Sequence, residues 1–131
     1  GAAAATDVTG FGLIGHLIGM LGPGVGAELD FGSIPVLLEA IELASGGVLP
    51  GGSKRNIEAL GESVQSDGLD DARRAILFDA QTSGGLLIAV PSEKTQLLLD
   101  ALLARNVTEA SKIGRLVSGD RNITVAASST N

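Results

Sequence analysis

A carboxylate and two hydroxyls stand directly before a glycine-rich segment near the start of the chain. Thr6 and Thr9 flank Asp7, and three glycines follow between positions 10 and 15. Backbone N–H groups at a glycine-rich helix start attract anions, and a carboxylate beside them can hold a divalent cation. These residue types therefore predict a site that takes phosphate groups together with a metal ion.

The same glycines also match the Gly-x-Gly-x-x-Gly pattern of dinucleotide-binding proteins. Asp30 follows Gly10 at the spacing where those proteins place an acidic residue for the ribose. Their pattern also needs an apolar strand leading into the first glycine, whereas residues 6–9 here are polar at alternate positions. Because the Asp7 carboxylate would repel a pyrophosphate without a cation between them, we favour phosphate with a bridging cation. The dinucleotide site is the alternative.

Composition limits the kind of protein that this chain can be. Its 131 residues fit one domain with a real core, and 44% hydrophobic but only 2% aromatic residues predict an aliphatic core. The net charge of −6 argues against nucleic-acid binding. The chain has no cysteine, which excludes disulfides and a thiol nucleophile from it and suits a cytoplasmic location. Its apolar stretches are too short and too interrupted for a membrane span.

Helices are predicted from apolar spacing and from capping residues. We expect them over 14–21, 34–45, 72–77 and 93–105. Ser33 and Ser92 are the predicted N-caps of the second and fourth helix, with Leu37 and Leu38 on the buried face of the second. Segment 50–56 is predicted to be a loop, followed by a short helix over 56–60.

Strands are predicted over 25–30, 86–90, 112–117 and 122–126, and the continuous apolar run 86–90 is typical of a buried strand. Since a short turn at Gly119–Asp120 joins the last two, the order of elements does not follow a strict βαβ rhythm. The expected fold is α+β, a mixed sheet with packed helices, in a single domain over 1–131. Residues 128–131 are expected to fray.

Three separated segments carry a family resemblance when they are taken together. Residues 6–13 read TDVTGFGL, residues 50–56 read PGGSKRN, and residues 78–87 read FDAQTSGGLL. In this order and spacing they resemble the C-terminal half of selenophosphate synthetase, also called selenide, water dikinase, within the group that includes aminoimidazole ribonucleotide synthetase. Residues 113–115 resemble the closing strand of that family. Ala80 departs from the pattern, because the family usually has proline there.

The resemblance implies an ATP-dependent enzyme that makes selenophosphate from selenide and water, releasing AMP and phosphate, with Mg²⁺. It also implies an N-terminal ATP-binding domain that supplies the cysteine or selenocysteine nucleophile and the catalytic lysine, none of which matches this chain. We therefore expect a fragment of a two-domain enzyme, with no catalytic residue of its own and no activity alone. Family members are usually homodimers, so a cytoplasmic homodimer is expected for the complete protein.

By this resemblance Asp7 is a magnesium ligand that helps to hold the phosphates of ATP. One carboxylate cannot complete a magnesium site, so further acids must come from the missing domain. The alternative for Asp7 is an N-cap of the following helix. Thr9 and Gly10 are predicted to offer a hydroxyl and a backbone N–H to phosphate, with a capping threonine and a turn glycine as the equal alternative.

The loop 81–85 places the hydroxyls of Thr82 and Ser83 beside free N–H groups. We expect this loop either to line the active-site cleft and contact an anion or to be a conformationally demanding turn, with Asp79 as its cap.

The charged and titratable residues that remain have two interpretations each. Lys54 and Arg55 are expected either to meet an oxyanion or to be a solvated basic segment. His16, the only histidine, lacks a carboxylate partner in the sequence. A packed or hydrogen-bonded role is therefore preferred for it over acid–base chemistry.

Two further functions stay open on the sequence. One is another ATP-dependent enzyme of the aminoimidazole ribonucleotide synthetase-like group. The other is a non-catalytic binding or assembly domain that keeps the fold for contacts with a partner.

Overall fold

The computed structural model describes residues 1–128. These residues form the predicted α+β fold of a mixed sheet with packed helices, and they form a second, smaller sheet that was not predicted. The helices are α1 Gly12–Met20, α2 Leu38–Ser45, α3 Gly51–Leu60, α4 Asp71–Ile76 and α5 Thr95–Leu103. The strands are β1 Ala4–Asp7, β2 Val25–Asp30, β3 Val64–Gln65, β4 Leu86–Ala89, β5 Gly114–Ser118 and β6 Ile123–Ala126.

The larger sheet is mixed and has the strand order β3-β6-β2-β5. β6 runs parallel to both β2 and β3, whereas β5 runs antiparallel to β2. Alternate residues of β2 and β6 point inward and are buried, among them Ala27, Leu29, Ile123 and Val125. The alternation of side chains along a strand therefore sets which sheet face joins the core.

The last two strands lie on opposite sides of β2 although only a short turn joins them. The turn crosses the start of β2, where Gly119 N–H donates to Gly24 O and Arg121 N–H donates to Val25 O. A side chain at position 26 would meet Asn122 O at 2.7 Å, so Gly26 lets the crossing chain lie this close. The expected turn is present, and it makes a crossing instead of a hairpin.

The smaller sheet pairs β1 with β4 in antiparallel register, with Asp7 opposite Leu86 and Thr6 opposite Leu87. Leu87 packs against the main core, whereas Leu86 is 71% exposed. The strand predicted over 86–90 is therefore confirmed as β4, but its predicted burial is wrong, because one face of the small sheet, which carries Leu86, lies open.

The core is mainly aliphatic, as expected. Ile14 and Leu17 of α1 are buried against the inward residues of β2 and β6. Two of the three phenylalanines, Phe31 and Phe78, also lie in this core, and Phe78 is fully buried. The spacing that predicted α1 is confirmed, since its apolar face is the one that packs on the sheet.

The second predicted helix begins later than expected. Ser33 ends a 3₁₀ turn, where its hydroxyl donates to Asp30 Oδ2 at 2.7 Å, and it does not cap a helix. Pro35 favours an extended residue before it, and α2 starts only at Leu38. Leu37 and Leu38 are 76% and 74% exposed, so the predicted buried face is wrong at these two positions.

Two other helix predictions also need correction. Segment 51–56 is helical and not a loop, because α3 starts directly after Pro50 and runs to Leu60. Ser92 opens a 3₁₀ turn and α5 follows it, without a side-chain cap from Ser92. The helix at 72–77 is confirmed as α4, with Asp70 as its N-cap.

The arrangement of β1, α1 and β2 excludes the dinucleotide alternative. In a dinucleotide-binding βαβ unit the two strands lie side by side in one parallel sheet. Here β1 and β2 belong to different sheets. Asp30, the acid of that alternative, accepts hydrogen bonds from Gly32 N–H and Ser33 Oγ.

No helix in the described part of the chain is both long and apolar enough to cross a membrane. The predicted fraying of residues 128–131 falls mostly outside the described residues, which end at 128.

Candidate functional site

Asp7 ends β1 with its side chain on the open face of the small sheet. The residue is exposed, and its carboxylate makes no hydrogen bond or ion pair to any residue among 1–128. It does not cap α1, whose N-cap position is Phe11 and has no side-chain cap. The N-cap alternative for Asp7 is therefore wrong, and the carboxylate is available to a ligand.

Residues 1–128 do not complete a metal site by themselves. No group of three or more histidine, aspartate or glutamate side chains in this part of the chain is placed to hold a metal ion. A metal ion bound at Asp7 would therefore need further ligands from outside this part of the chain.

The three sequence segments that resemble one family meet in space at α3. The side-chain amide of Asn56 donates to Gly10 O at 2.9 Å and to Phe78 O at 3.0 Å. Gly10 belongs to the first segment, Asn56 to the second and Phe78 to the third. We call this meeting point, formed by Ser53, Asn56 and the loops 8–11 and 78–85, the junction.

Ser53 makes the second set of bonds in the junction. It is fully buried; its hydroxyl donates to Asp79 Oδ1 at 2.8 Å and accepts from Ala80 N–H at 3.0 Å. Gln81 Nε2 donates to the other Asp79 oxygen at 2.6 Å. Asp79 thus links its own loop to α3, a wider role than the predicted turn cap. A proline at position 80 would lack the N–H that Ala80 donates.

The two loops also touch each other directly. Thr9 O accepts from Gly12 N–H at 3.0 Å and from Gln81 N–H at 3.1 Å, and Val8 N–H donates to Gly85 O at 2.9 Å. A Cβ on Gly84 would overlap the carbonyl oxygen of Val8. This close approach makes glycine necessary at position 84 and leaves open whether the loop 81–85 also contacts an anion.

Gly12 is a second position of this kind. Its φ is +72°, and a Cβ there would lie 2.8 Å from the carbonyl carbon of Phe78. Both the left-handed backbone and the close contact favour glycine, so Gly12 serves the packing of the two loops.

His16 is hydrogen-bonded, as preferred from the sequence. Its Nε2 lies 2.9 Å from Thr9 Oγ1, and the pair is part-buried. The Phe11 ring lies beside the imidazole, with 5.9 Å between the centroids, and Phe11 itself is 66% exposed. The Thr9 hydroxyl is therefore held by a side chain one turn into α1 and is not free to rotate.

The other predicted binding residues lie on open surface. Gly10, Thr82 and Ser83 are exposed, and neither hydroxyl has a hydrogen-bond partner within residues 1–128. Lys54 and Arg55 lie on the exposed side of α3, away from the buried pair Ser53 and Asn56. The geometry leaves all of them accessible without a contact that assigns their role.

A groove of about 730 Å³ lies elsewhere among the described residues. It covers the outer face of the larger sheet, and none of the predicted site residues lines it. Its charged lining residues are Glu28, Asp30, Asp67, Lys112 and Arg115. Glu28 is paired with Arg115 at 2.6 Å, and Asp30 is occupied by its own turn. We therefore place the candidate site at the junction, where the motifs converge, and not in the groove.

Ser53 and Asn56 are the residues that the sequence analysis missed. In the segment that contains them, the predicted binding residues are Lys54 and Arg55, and the predicted structure is a loop. The sequence does contain a signal for this helix. Ser53 and Asn56 are three positions apart and share one helix side with Ile57 and Leu60, which is the pattern of a buried helix face.

The profile of one protein family matches residues 1–126; its description is AIR synthase related protein, C-terminal domain. This chain belongs to that family. The junction and the small sheet are therefore features of an AIR synthase-related C-terminal domain. The α+β fold predicted from the sequence agrees with this family.

Curated proteins that are similar to this chain are named selenide, water dikinase. A protein named selenide, water dikinase from Aeromonas hydrophila subsp. hydrophila is 49% identical over 117 residues, 88% of this chain and 33% of that protein. Selenide, water dikinase 2 of Peptoclostridium acidaminophilum is 40% identical over 116 residues, again 88% and 33%. The protein of that name from Dechloromonas aromatica is 39% identical over 127 residues, 95% and 36%. The chain spans about a third of the length of these relatives.

Proposed function

We propose that this chain is the C-terminal domain of a selenide, water dikinase. The complete enzyme would convert ATP, selenide and water to selenophosphate, AMP and phosphate. The observation that supports the proposal most is the junction, because Asn56 joins all three segments that resemble this family, next to the exposed Asp7. The chain alone would be inactive, since no residue in it matches the nucleophile or the catalytic lysine.

Asp7 is the proposed contact to magnesium. Magnesium takes six oxygens and is usually bound through one or two carboxylates together with phosphates and water. The exposed, unpaired carboxylate fits one such position, and the ATP-binding domain would supply the other protein ligands. When bound there, the ion would offset the negative charge of the phosphate oxygens.

The neighbouring residues suit contacts to an oxyanion. The Thr9 hydroxyl is oriented by His16, and the exposed Gly10, Thr82 and Ser83 offer N–H and hydroxyl donors on the two loops of the junction. Donors fixed before a ligand arrives cost less to order on binding, which is the advantage of building them on a hydrogen-bonded junction.

The apolar surface beside Asp7 suits a covering domain. Phe11 is 66% and Leu86 is 71% exposed, and Leu86 is the cross-strand partner of Asp7. We propose that the N-terminal ATP-binding domain covers these side chains and excludes water from the reacting groups. For the complete protein we also expect a cytoplasmic homodimer.

A hybrid enzyme tests the proposal. This chain would replace the matching 117 residues of the Aeromonas hydrophila protein. We expect the hybrid to form selenophosphate and AMP, and Asp7→Asn to lower the rate about 100-fold by removing a metal ligand. Asp67→Asn is the matched control, because Asp67 is also exposed but lines the groove.

The outcomes separate the alternatives. A folded hybrid that consumes ATP without need for selenide would favour another enzyme of the aminoimidazole ribonucleotide synthetase-like group. A folded hybrid without turnover would favour a non-catalytic domain. An active hybrid in which Asp7→Asn behaves like Asp67→Asn would remove the metal role of Asp7 and leave the family role intact.

A further inference from the structure

We propose that Asn56 is a positioning residue for the site: its amide group fixes the loop 8–11 relative to the loop 78–81, and so sets where Asp7 and Thr9 stand. The inference rests on the proposed function, because the site that is positioned is the one assigned to magnesium and phosphate.

The first step is that one amide nitrogen serves two loops. Asn56 Nδ2 donates to Gly10 O and to Phe78 O, residues that are far apart in the chain. Only the NH₂ end of the side chain can bond two carbonyl oxygens, so the two acceptors also fix the orientation of the amide. Asn56 is 7% exposed; its bond to Phe78 O is buried and its bond to Gly10 O is part-buried.

The second step is that these bonds act close to the site residues. Gly10 directly follows Thr9, whose carbonyl accepts N–H bonds from Gly12 and Gln81. A shift of Gly10 would therefore move Thr9 and strain both of these bonds. Asp7 lies only two residues before Thr9. It is the last residue of β1, so the strand fixes its backbone on the side away from the loop.

The third step is that α3 is a firm base for the amide. Asn56 lies in the middle of a helix of 10 residues, one turn after Ser53, whose hydroxyl holds Asp79 and Ala80 of the second loop. Side chains on regular elements are placed more precisely than side chains on loops. The exposed loops thus take their relative position from a buried helix face.

Asn56→Asp tests the inference with almost no change in shape. It replaces the donor with oxygen and sets an acceptor against two carbonyl oxygens. The matched control is Glu58→Gln, the reverse exchange on the exposed side of the same helix. Asn56→Ala replaces Asn56→Asp if the latter does not fold.

The first readout is amide hydrogen exchange of this chain. We expect exchange about tenfold faster at Gly12 and Gln81, whose N–H groups both bond Thr9 O, with little change at Ala27 and Asp30 of the larger sheet. Equal acceleration at all four amides, or none at Gly12 and Gln81, would overturn the proposal, since a purely stabilising residue acts on the whole fold.

The second readout is the magnesium dependence of the hybrid enzyme. We expect Asn56→Asp to raise the half-saturating Mg²⁺ concentration about tenfold, with most of the maximal rate recovered at high Mg²⁺. A loss of maximal rate with unchanged half-saturation would mean that less enzyme is folded, and it would also overturn the positioning role.

Asp7→Asn in the same hybrid keeps this inference separate from the proposed function. If Asp7→Asn leaves the Mg²⁺ dependence unchanged, the metal role fails, and hydrogen exchange alone then decides whether Asn56 positions the loops.

Discussion

The junction and the groove of the larger sheet hold polar groups in opposite ways. In the junction, Ser53 is fully buried and Asn56 is 7% exposed, and both bond to backbone or carboxylate groups of other segments. In the groove, the Glu28–Arg115 pair has 46% and 70% exposed side chains. The groove is a concavity of about 730 Å³, yet water competes for this ion pair in its lining.

The difference teaches where function is to be sought in this chain. A buried polar group that loses its partner costs the full desolvation free energy, whereas an exposed ion pair contributes little because water and salt replace it. The junction therefore fixes the positions of its polar side chains, whereas the groove does not. Three variants, ordered by expected effect, test whether the two regions differ in this way, and a fourth concerns the helix that leads into the junction.

Gly84→Ala is expected to have the largest effect. The new Cβ would overlap the Val8 carbonyl oxygen, so the two loops must separate, and we expect the free energy of unfolding to fall by about 3 kcal/mol. Gly85→Ala is the matched control, because nothing lies within 4 Å of a Cβ there, and a change below about 0.5 kcal/mol is expected. Urea denaturation measures both; equal losses would contradict the close approach.

Ser53→Ala is expected to be next. It leaves Asp79 Oδ1 and Ala80 N–H without their partner in a part-buried place, at a cost of about 2 kcal/mol. Ser118→Ala, at the exposed end of β5 in the larger sheet, is expected to change stability by less than about 0.5 kcal/mol. If both serines cost the same, the buried hydrogen bonds do not distinguish the junction.

Arg115→Ala probes the groove directly. The pair with Glu28 is exposed on both sides, so we expect a loss below about 1 kcal/mol that shrinks further in high salt. Thermal unfolding at low and high salt measures this. A loss above that of Ser53→Ala would reverse the comparison of the two regions.

The smallest effect concerns the start of α4, the helix that leads into the Phe78–Asp79 loop. The hydrogen bond donated by Arg73 N–H lowers the pKa of the Asp70 carboxyl below its ordinary value of 3.8. Because the folded-state pKa is lower than the ordinary pKa, the carboxylate adds stability at pH values above the ordinary pKa. This stability is lost as pH falls through the folded-state pKa.

Asp70→Asn isolates this charge effect, because asparagine is also a good N-cap. We expect the variant to be slightly less stable than the wild type at neutral pH, and the difference to shrink as pH falls below 3.8. Denaturation at several pH values measures the difference. A gap that widens with acid would have the wrong sign.

The sequence predicted the elements that local patterns determine. The spacing of Ile14 and Leu17 predicted α1, and the alternation in 25–30 predicted β2 to the residue. The cap at Asp70 is local too, since its side chain bonds a backbone group three residues on. Position 7 is predicted from its motif; the structure shows its carboxylate exposed, and its role as a metal ligand stays a prediction.

The errors fall where distant segments override local preference. Glycines 51 and 52 favour a loop, but the bonds of Ser53 and Asn56 to other segments hold a helix there. The run 86–90 is apolar enough for a buried strand, yet β4 pairs only with β1 in the described part and Leu86 stays exposed. Neither outcome can be found from a window of neighbouring residues.

By itself the sequence determined the family, the α+β class, the helix and strand patterns, and the residue types of the candidate site. Only the tertiary structure decided that three segments converge on Asn56. It also decided that β5 and β6 flank β2, and that the groove holds none of the predicted site residues. The reason is physical: periodicity and capping act over a few residues, whereas these contacts join groups far apart in the chain and exist only once the core has formed.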